Sequence, residues 1–283
     1  MNTITQLSEQ SAPAKNQAKS ENESGKIKSH PHTASLDKIY NSLVNGLKKY
    51  FTQHHFKRGV LGVSGGVDSA LTLKIAADAL GAENVTALLM PELGLTKQEN
   101  IDHAKTLCQF LGVNFYFQPI NNYLTDFGLV PWKPASLAHM NTKARIRAVL
   151  LYSFANTERA LVLGTSNKSE TLLGYGTKYG DLAADIEVIA DLFKTEVVAL
   201  ADHIGLPPEI VNKTPSAELA PDQTDEQEMG ATYRDLDNVL AKLELGEEGC
   251  IAHGLPASLV KLVFRRVVEN KHKTEMPYTV KVQ

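Results

Sequence analysis

Apolar residues recur at three- and four-residue spacing from Leu36 through Ile39, Tyr40, Leu43, Val44, Leu47, Tyr50 and Phe51, which predicts an amphipathic helix with Ser35 placed to cap it. The continuous apolar run Gly59-Val-Leu-Gly-Val63 then has strand length and ends in a turn, Ser64-Gly-Gly66. Helical spacing returns over 68–80, and 85–90 is a second apolar strand closed by Pro91. Such a strand–helix–strand unit implies a parallel pair, because its crossover returns the chain to the same end of the sheet. The alternation continues with a helix over 97–111, a strand over 113–120, a helix over 142–156, and a strand over 160–164 that leads into a glycine-rich loop. A short strand over 185–190 and a helix over 194–204 follow. This order predicts an α/β fold, a doubly wound and mostly parallel sheet with helices on both faces. Ligands of such sheets collect beyond the carboxyl ends of the strands. After Gly205 the pattern breaks. Residues 206–228 hold Pro207, Pro208, Pro215 and Pro221 among many acids and read as a long irregular loop, a lid. Helices are expected over 225–243 and 257–270, and no internal repeat is present.

Composition narrows the function classes. Residues 1–34 are polar, with little beyond Ile4, Leu7 and Ile27 to bury, so they are expected to form a disordered extension before one domain over 35–283. They lack the apolar core of a secretory signal, and no run is long enough to span a bilayer. A net charge of −3 leaves no electrostatic footprint for nucleic acid. Cys108 and Cys250 lie far apart without CxxC spacing, which disfavours a disulfide framework or a zinc site and fits a reducing cytoplasm.

The chemistry concentrates in two segments. Ser64-Gly-Gly-Val-Asp-Ser69 follows a strand and opens a helix. Glycines there let backbone approach a phosphate, and the helix start offers free N–H groups to an anion. The same residues also suit a plain tight turn between strand and helix, with Asp68 as a favourable acid in the first helical turn. The segment lacks the Gly-Lys-Ser/Thr ending of a Walker P-loop and resembles the PP-loop of ATP pyrophosphatases, which holds the pyrophosphate released from ATP. An acid beside three phosphates would be repelled without a cation between them, so Asp68 is a sensible magnesium ligand.

The second segment is Leu163-Gly-Thr-Ser-Asn-Lys-Ser-Glu-Thr-Leu-Leu-Gly-Tyr-Gly-Thr-Lys-Tyr-Gly-Asp181, continued by Ala184-Asp185 and Leu192-Phe-Lys-Thr195. It closely resembles the hallmark of NAD synthetases, and the likeness runs from about Leu36 to the C-terminus. The resemblance implies ATP as co-substrate, contacted by Gly62, Val63, Ser64, Gly65, Gly66, Val67, Asp68, Ser69, Thr165, Lys194 and Ser216. It implies magnesium at Asp68 and Glu170. It implies deamido-NAD binding by Arg145, in Asn141-Thr-Lys-Ala-Arg145, and by Lys178, Asp185, His272 and Lys273. Asp68, Lys194 and Asp185 are the catalytic expectations. Taken singly, Glu170 would pass for an exposed acid, Asp185 for a polar strand start, Lys194 for a solvated helix end, and His272-Lys273 for a basic tail. The chain departs from the family pattern at Val67, where Gln is frequent, at Gly176, where an aromatic is frequent, and at Leu182 and Ala183, which replace glycines. Asp222, Asp225, Glu226 and Glu228 read as a solvated face, with Asp225 as a helix cap.

The implied reaction is ATP-dependent amidation of deamido-NAD through an adenylate, with ammonia as nitrogen donor and AMP and pyrophosphate as products. About 35 residues precede the first helix, too few for the amidase domain of glutamine-dependent relatives. Free ammonia, or a separate donor protein, is therefore expected, as is the family's homodimer. Two rivals share the glycine loop: another PP-loop adenylating amidotransferase, and a non-catalytic nucleotide-binding module. The first has no reason to carry the segments 164–170 and 177–185, and the second would not need Asp68, Glu170 and Lys194 together.

Overall fold

The structure, a computed structural model, describes residues 35–221 and 223–282. The extension expected over 1–34 lies outside the described residues. Five strands, β1 (Arg58–Gly62), β2 (Val85–Leu89), β3 (Asn114–Phe117), β4 (Ala160–Gly164) and β5 (Ile186–Glu187), form one sheet in the order β3-β2-β1-β4-β5. Every pairing is parallel, and Val60 sits in register with Thr86 on one side and Val162 on the other. The strand order reverses direction between β1 and β4, so the crevice of a doubly wound sheet opens above their carboxyl ends.

Helices α1 (Leu36–Gln53), α2 (Val67–Leu80), α3 (Gln98–Leu111), α4 (Asn121–Phe127), α5 (Ser136–Glu158), α6 (Lys168–Leu173), α7 (Lys194–His203) and α8 (Pro208–Val211) surround the strands. Four more follow: α9 (Asp225–Met229), α10 (Tyr233–Leu240), α11 (Gly246–Ala252) and α12 (Ala257–Asn270). Alternate side chains of β1 serve opposite faces, as the pleat dictates. Leu61 packs with Leu71, Leu107 and Leu200 of α2, α3 and α7, while Val60 packs with Ile146 and Ala155 of α5. A third apolar cluster joins Leu173 of α6 to Leu236 of α10 and Val260 and Val263 of α12. Among the described residues no helix is long and apolar enough to cross a membrane.

Several boundaries differ from expectation for local reasons. The helix expected over 142–156 begins at Ser136 and runs to Glu158, where Arg159 turns left-handed at φ 53°. The single helix expected over 225–243 is two: Gly230, at φ 83°, stops α9, and the Thr232 side chain accepts from Asp235 N to start α10. The strand expected over 185–190 is only Ile186–Glu187, the last member of the sheet, and that over 113–120 contracts to Asn114–Phe117 at the other edge. The proline-rich stretch encloses α8, with Pro208 in its first turn, where a missing N–H costs nothing.

Both cysteines are free and buried. Burial pushes the Cys108 thiol up to about 12, and the thiolate is the nucleophile. Iodoacetamide at pH 8 should therefore leave the folded protein unmodified and add two carbamidomethyl groups once guanidinium unfolds it. Intact mass measures both, and labelling of the native chain would contradict the burial of these thiols.

Candidate active site

The first wall of the site is the turn after β1. Val63 N still donates to Leu88 O at 3.1 Å, and the chain then leaves the sheet. Gly65 takes φ +81°, and a β-carbon there would meet the backbone oxygen of Asn100 at 2.4 Å. The turn therefore requires glycine in both conformation and space. Ser69 Oγ donates to Gly66 O at 3.0 Å and accepts from Ser64 N at 3.2 Å, which folds the loop onto the start of α2. The amino end of that 14-residue helix faces the cleft with the polarity an anion favours.

The second wall follows β4. Asn167, fully buried, caps α6: its side chain accepts from Glu170 N at 3.0 Å, and Glu170 Oε2 accepts from Asn167 N at 3.3 Å. The Asn167 amide also donates to Asp68 Oδ1 at 3.0 Å and so ties the two walls together. Lys194, from the first turn of α7 and 4% exposed, donates to Asp68 Oδ2 and lies 3.9 Å from Glu170 Oε1. Burial alone would drive its ammonium down, but Asp68 and Glu170 outweigh burial and hold it above the usual lysine range. Burial, reinforced by Asp68, pushes the Glu170 carboxyl up to about 8.

Residues from both segments line one cleft of about 290 Å³: Gly62, Val63, Ser64, Gly66, Val67, Asp68 and Ser69 on one side, Thr165, Glu170 and Lys194 on the other. Ser216 closes it from the predicted lid. The lid is knitted internally, with Ser216 Oγ donating to Gln223 O at 2.6 Å, and it is pinned across the cleft where Lys143 Nζ donates to Leu219 O at 2.9 Å. Lys143 also pairs with Glu92 at 2.6 Å.

The residues expected at the dinucleotide divide into two places. Arg145 of α5 and Lys178 of the loop after α6 gather with His272 and Lys273 of the C-terminal segment, outside the lining of that cleft. Arg145 Nε donates to Lys178 O at 3.3 Å, Lys178 Nζ to His272 O and, at 2.9 Å, to Glu275 O, and Lys273 Nζ to Gly174 O at 2.8 Å. Asp185 is elsewhere. Its carboxylate accepts from Val162 N at 2.8 Å and from Tyr152 Oη at 3.3 Å, which locks it to the middle of β4. Expected as a catalytic and deamido-NAD-binding group, it is bonded in this structure to the β4 backbone and to Tyr152.

The acidic stretch departs most from expectation. Asp222 lies outside the described residues. Asp225 is 5% exposed rather than solvated, and the cap of α9 is Thr224, not Asp225. Asp225 accepts from Tyr175 Oη at 3.0 Å and Tyr233 Oη at 3.2 Å, beside Glu170. Burial raises its carboxyl above the usual range. Arg147 was also missed. It lines the cleft and donates to Met90 O at 3.0 Å, and no sequence motif marks it. Asn167 did have a signal, since Asn-x-x-Glu before an apolar pair is the mark of a capping box.

These side chains suit a hard cation. Asp68, Glu170 and Asp225 place three carboxyl groups, oxygen donors alone, around the Lys194 ammonium. Among the described residues no cluster of three or more His, Cys, Asp or Glu is arranged to hold a metal by itself. Asp68 and Glu170 would thus share an ion with phosphate oxygens, the usual arrangement for magnesium.

Residues 39–277 match the family model described as NAD synthase. The chain is 41% identical over 248 residues to the NH(3)-dependent NAD(+) synthetase of Wolinella succinogenes, covering 87% of this chain and 96% of that one. Its fold is similar to that of an NMN synthetase from Francisella tularensis, with a TM-score of 0.80, 29% identity, and coverage of 88% of this chain and all of that one. An NH3-dependent NAD synthetase from Campylobacter jejuni gives a TM-score of 0.75 at 32% identity, with the same coverage. A phosphate-type glycine loop, a carboxylate pair bridged by a buried lysine, and a sequence match that spans nearly all described residues converge on one conclusion: the chain belongs to the NAD synthase family.

Proposed function

We propose that this chain is a ligase that amidates deamido-NAD to NAD, consuming ATP and ammonia and releasing AMP and pyrophosphate. The observation that carries the reading is the single cleft in which the loop 64–69 meets Thr165, Glu170 and Lys194. ATP lies with its phosphates on Ser64, Gly65, Gly66 and Ser69 and the α2 amino end, with Gly62, Val63, Val67, Thr165 and Ser216 around the nucleoside. A carboxylate oxygen of deamido-NAD attacks the α-phosphorus, and the bond from that phosphorus to the bridging oxygen of pyrophosphate breaks. Lys194 faces the charge that develops on the leaving group, where a fixed cation in a dry site is most effective. Asp68 and Glu170 would hold magnesium, which would supply further neutralisation of charge there. Ammonia then attacks the acyl carbon, the bond to the AMP oxygen breaks, and the excess proton passes to solvent. Positioning and electrostatics supply the acceleration, so no Ser-His-Asp constellation is required.

Arg145, Lys178, His272 and Lys273 hold the phosphates and carboxylate of deamido-NAD. Their present bonds are to backbone carbonyls, which an anion would replace. Asp185, fixed by Val162 N and Tyr152, is a further contact of deamido-NAD. Leu129, Trp132, Leu137 and Val149, between 64% and 81% exposed in and around α4 and α5, support a homodimer formed through that face. Ammonia comes from solution or from a separate donor, and the buried free thiols suit the cytoplasm.

Incubation with ATP, magnesium, ammonium and deamido-NAD is expected to yield AMP and NAD in equal amounts, read by chromatography. AMP formation only with nicotinate mononucleotide, or only with an acceptor lacking a pyridine carboxylate, would overturn the substrate assignment.

A further inference from the structure

Between α6, α9 and α10 two tyrosines link three carboxylates that the reaction steps leave partly unused. Tyr233 Oη lies 3.3 Å from Glu170 Oε1 and 3.2 Å from Asp225 Oδ2. Tyr175 Oη lies 3.0 Å from Asp225 Oδ1 and 2.7 Å from Glu228 Oε2. Each hydroxyl has one proton to give, and Asp225 is the carboxyl within reach of both, with Tyr233 standing between it and Glu170. The Lys194 ammonium sits 5.2 Å from the centre of the Tyr233 ring, so that ring touches both charged partners of the site. Tyr233 is itself held, packed in the α6–α10–α12 cluster, with its backbone N–H on Glu226 Oε1 at 2.9 Å.

Asp225 has a second attachment. Its backbone N–H donates to Pro215 O at 3.1 Å, which closes the base of the loop that carries Ser216 and Glu218 into the cleft. One residue thus joins the root of the lid to the oxygen of Glu170 nearest Lys194. Carboxylates that ligate metals are held by hydrogen bonds behind them, and loss of such a partner commonly weakens metal binding about 10–100-fold.

We propose that Asp225 is a positioning residue: through Tyr233 it orients Glu170 toward a divalent cation, and through Pro215 it makes lid placement depend on that cation. The inference rests on the reading of Asp68 and Glu170 as the cation's protein ligands. It adds that the lid and the metal site are one mechanical unit.

The test uses the full chain, Mn2+ as the probe, and the ATP analogue with a methylene between the α- and β-phosphorus, the bond that must break. Bound Mn2+ is counted from the loss of the free-ion electron paramagnetic resonance signal. Asp225→Asn and Glu170→Gln should each weaken Mn2+ binding by about tenfold or more. Binding of the analogue in EDTA should stay within about twofold of the parent, which general damage to the fold would not allow. Mn2+ with the analogue should slow tryptic cleavage after Lys213 in the parent protein and fail to do so in Asp225→Asn. Tyr233→Phe, which removes a single oxygen and preserves packing, should weaken Mn2+ in the same direction. Parent-like Mn2+ binding in Asp225→Asn or Tyr233→Phe, alongside a weakened Glu170→Gln, overturns the positioning role and leaves the ligand assignment standing. Parent-like binding in Glu170→Gln overturns the ligand assignment and the inference with it.

Discussion

Replacing Lys194 with Met is expected to lower turnover by about 10²–10³-fold, the loss typical when one fixed charge-stabilising group is removed from a buried site. The substitution keeps an unbranched apolar stem, with sulfur in place of Cδ, and removes the ammonium. Its effect on stability should also be large. Lys194 is buried at 4% exposure, bonded to Asp68 and close to Glu170, so its loss strands two carboxylates in a poorly solvated cleft. Removal of one partner from a buried pair costs about 3–5 kcal/mol. Part of that cost should return when millimolar magnesium is added, because a divalent cation can replace the missing charge. Thermal unfolding in EDTA and in magnesium, beside steady-state rates, measures each effect. A variant with unchanged melting temperature and near-normal turnover would remove Lys194 from the centre of the reaction.

Gly65→Ala should be the most damaging change to the glycine loop. The new methyl would collide with the Asn100 carbonyl oxygen at 2.4 Å and would impose an L side chain on φ +81°. Backbone strain of that kind costs about 1–3 kcal/mol. The collision partner is main chain at the start of α3, so relief requires the loop itself to move. A shift near 1 Å at a reacting group is enough to reduce catalysis by about 10²-fold. Gly66→Ala provides the contrast. Its φ is −93°, and its added carbon meets only Ser64 Oγ at 3.4 Å, so stability should be nearly unchanged. Equal melting temperatures for the two variants would show that Gly65 is not under the constraint described.

The pattern of side chains reveals the first half of this fold well. The apolar run at 59–63, the Ser-Gly-Gly turn and the helix after it are local features, each set by residues within a few positions of one another. The convergence of Ser64–Ser69 with Thr165 and Glu170 is also anticipated, because strand ends of a parallel sheet share one edge. Burial of charge is less legible. Asp225 sits in a run of acids that looks solvated, and only the packing of α6 against α10 turns it inward between two tyrosines. Arg147 lies within the expected helix but has no motif of its own, and its bond to Met90 O depends on how α5 packs beside the sheet. The resemblance marks Asp185, but its bonds to Val162 and Tyr152 depend on how β5 meets the sheet, which two residues of strand cannot announce.

The placement of β1 beside β4 has a consequence for synthesis of the chain. Val60 and Val162 are neighbours in the sheet although about a hundred residues separate them. A ribosome that has finished only the first 150 residues has exported the whole glycine loop with nothing opposite it. Asn167 and Lys194, which complete the enclosure, emerge later still. The two walls can therefore meet only after Lys194 has left the ribosome, and a fragment that stops before Asn167 carries the glycine loop without its opposite wall.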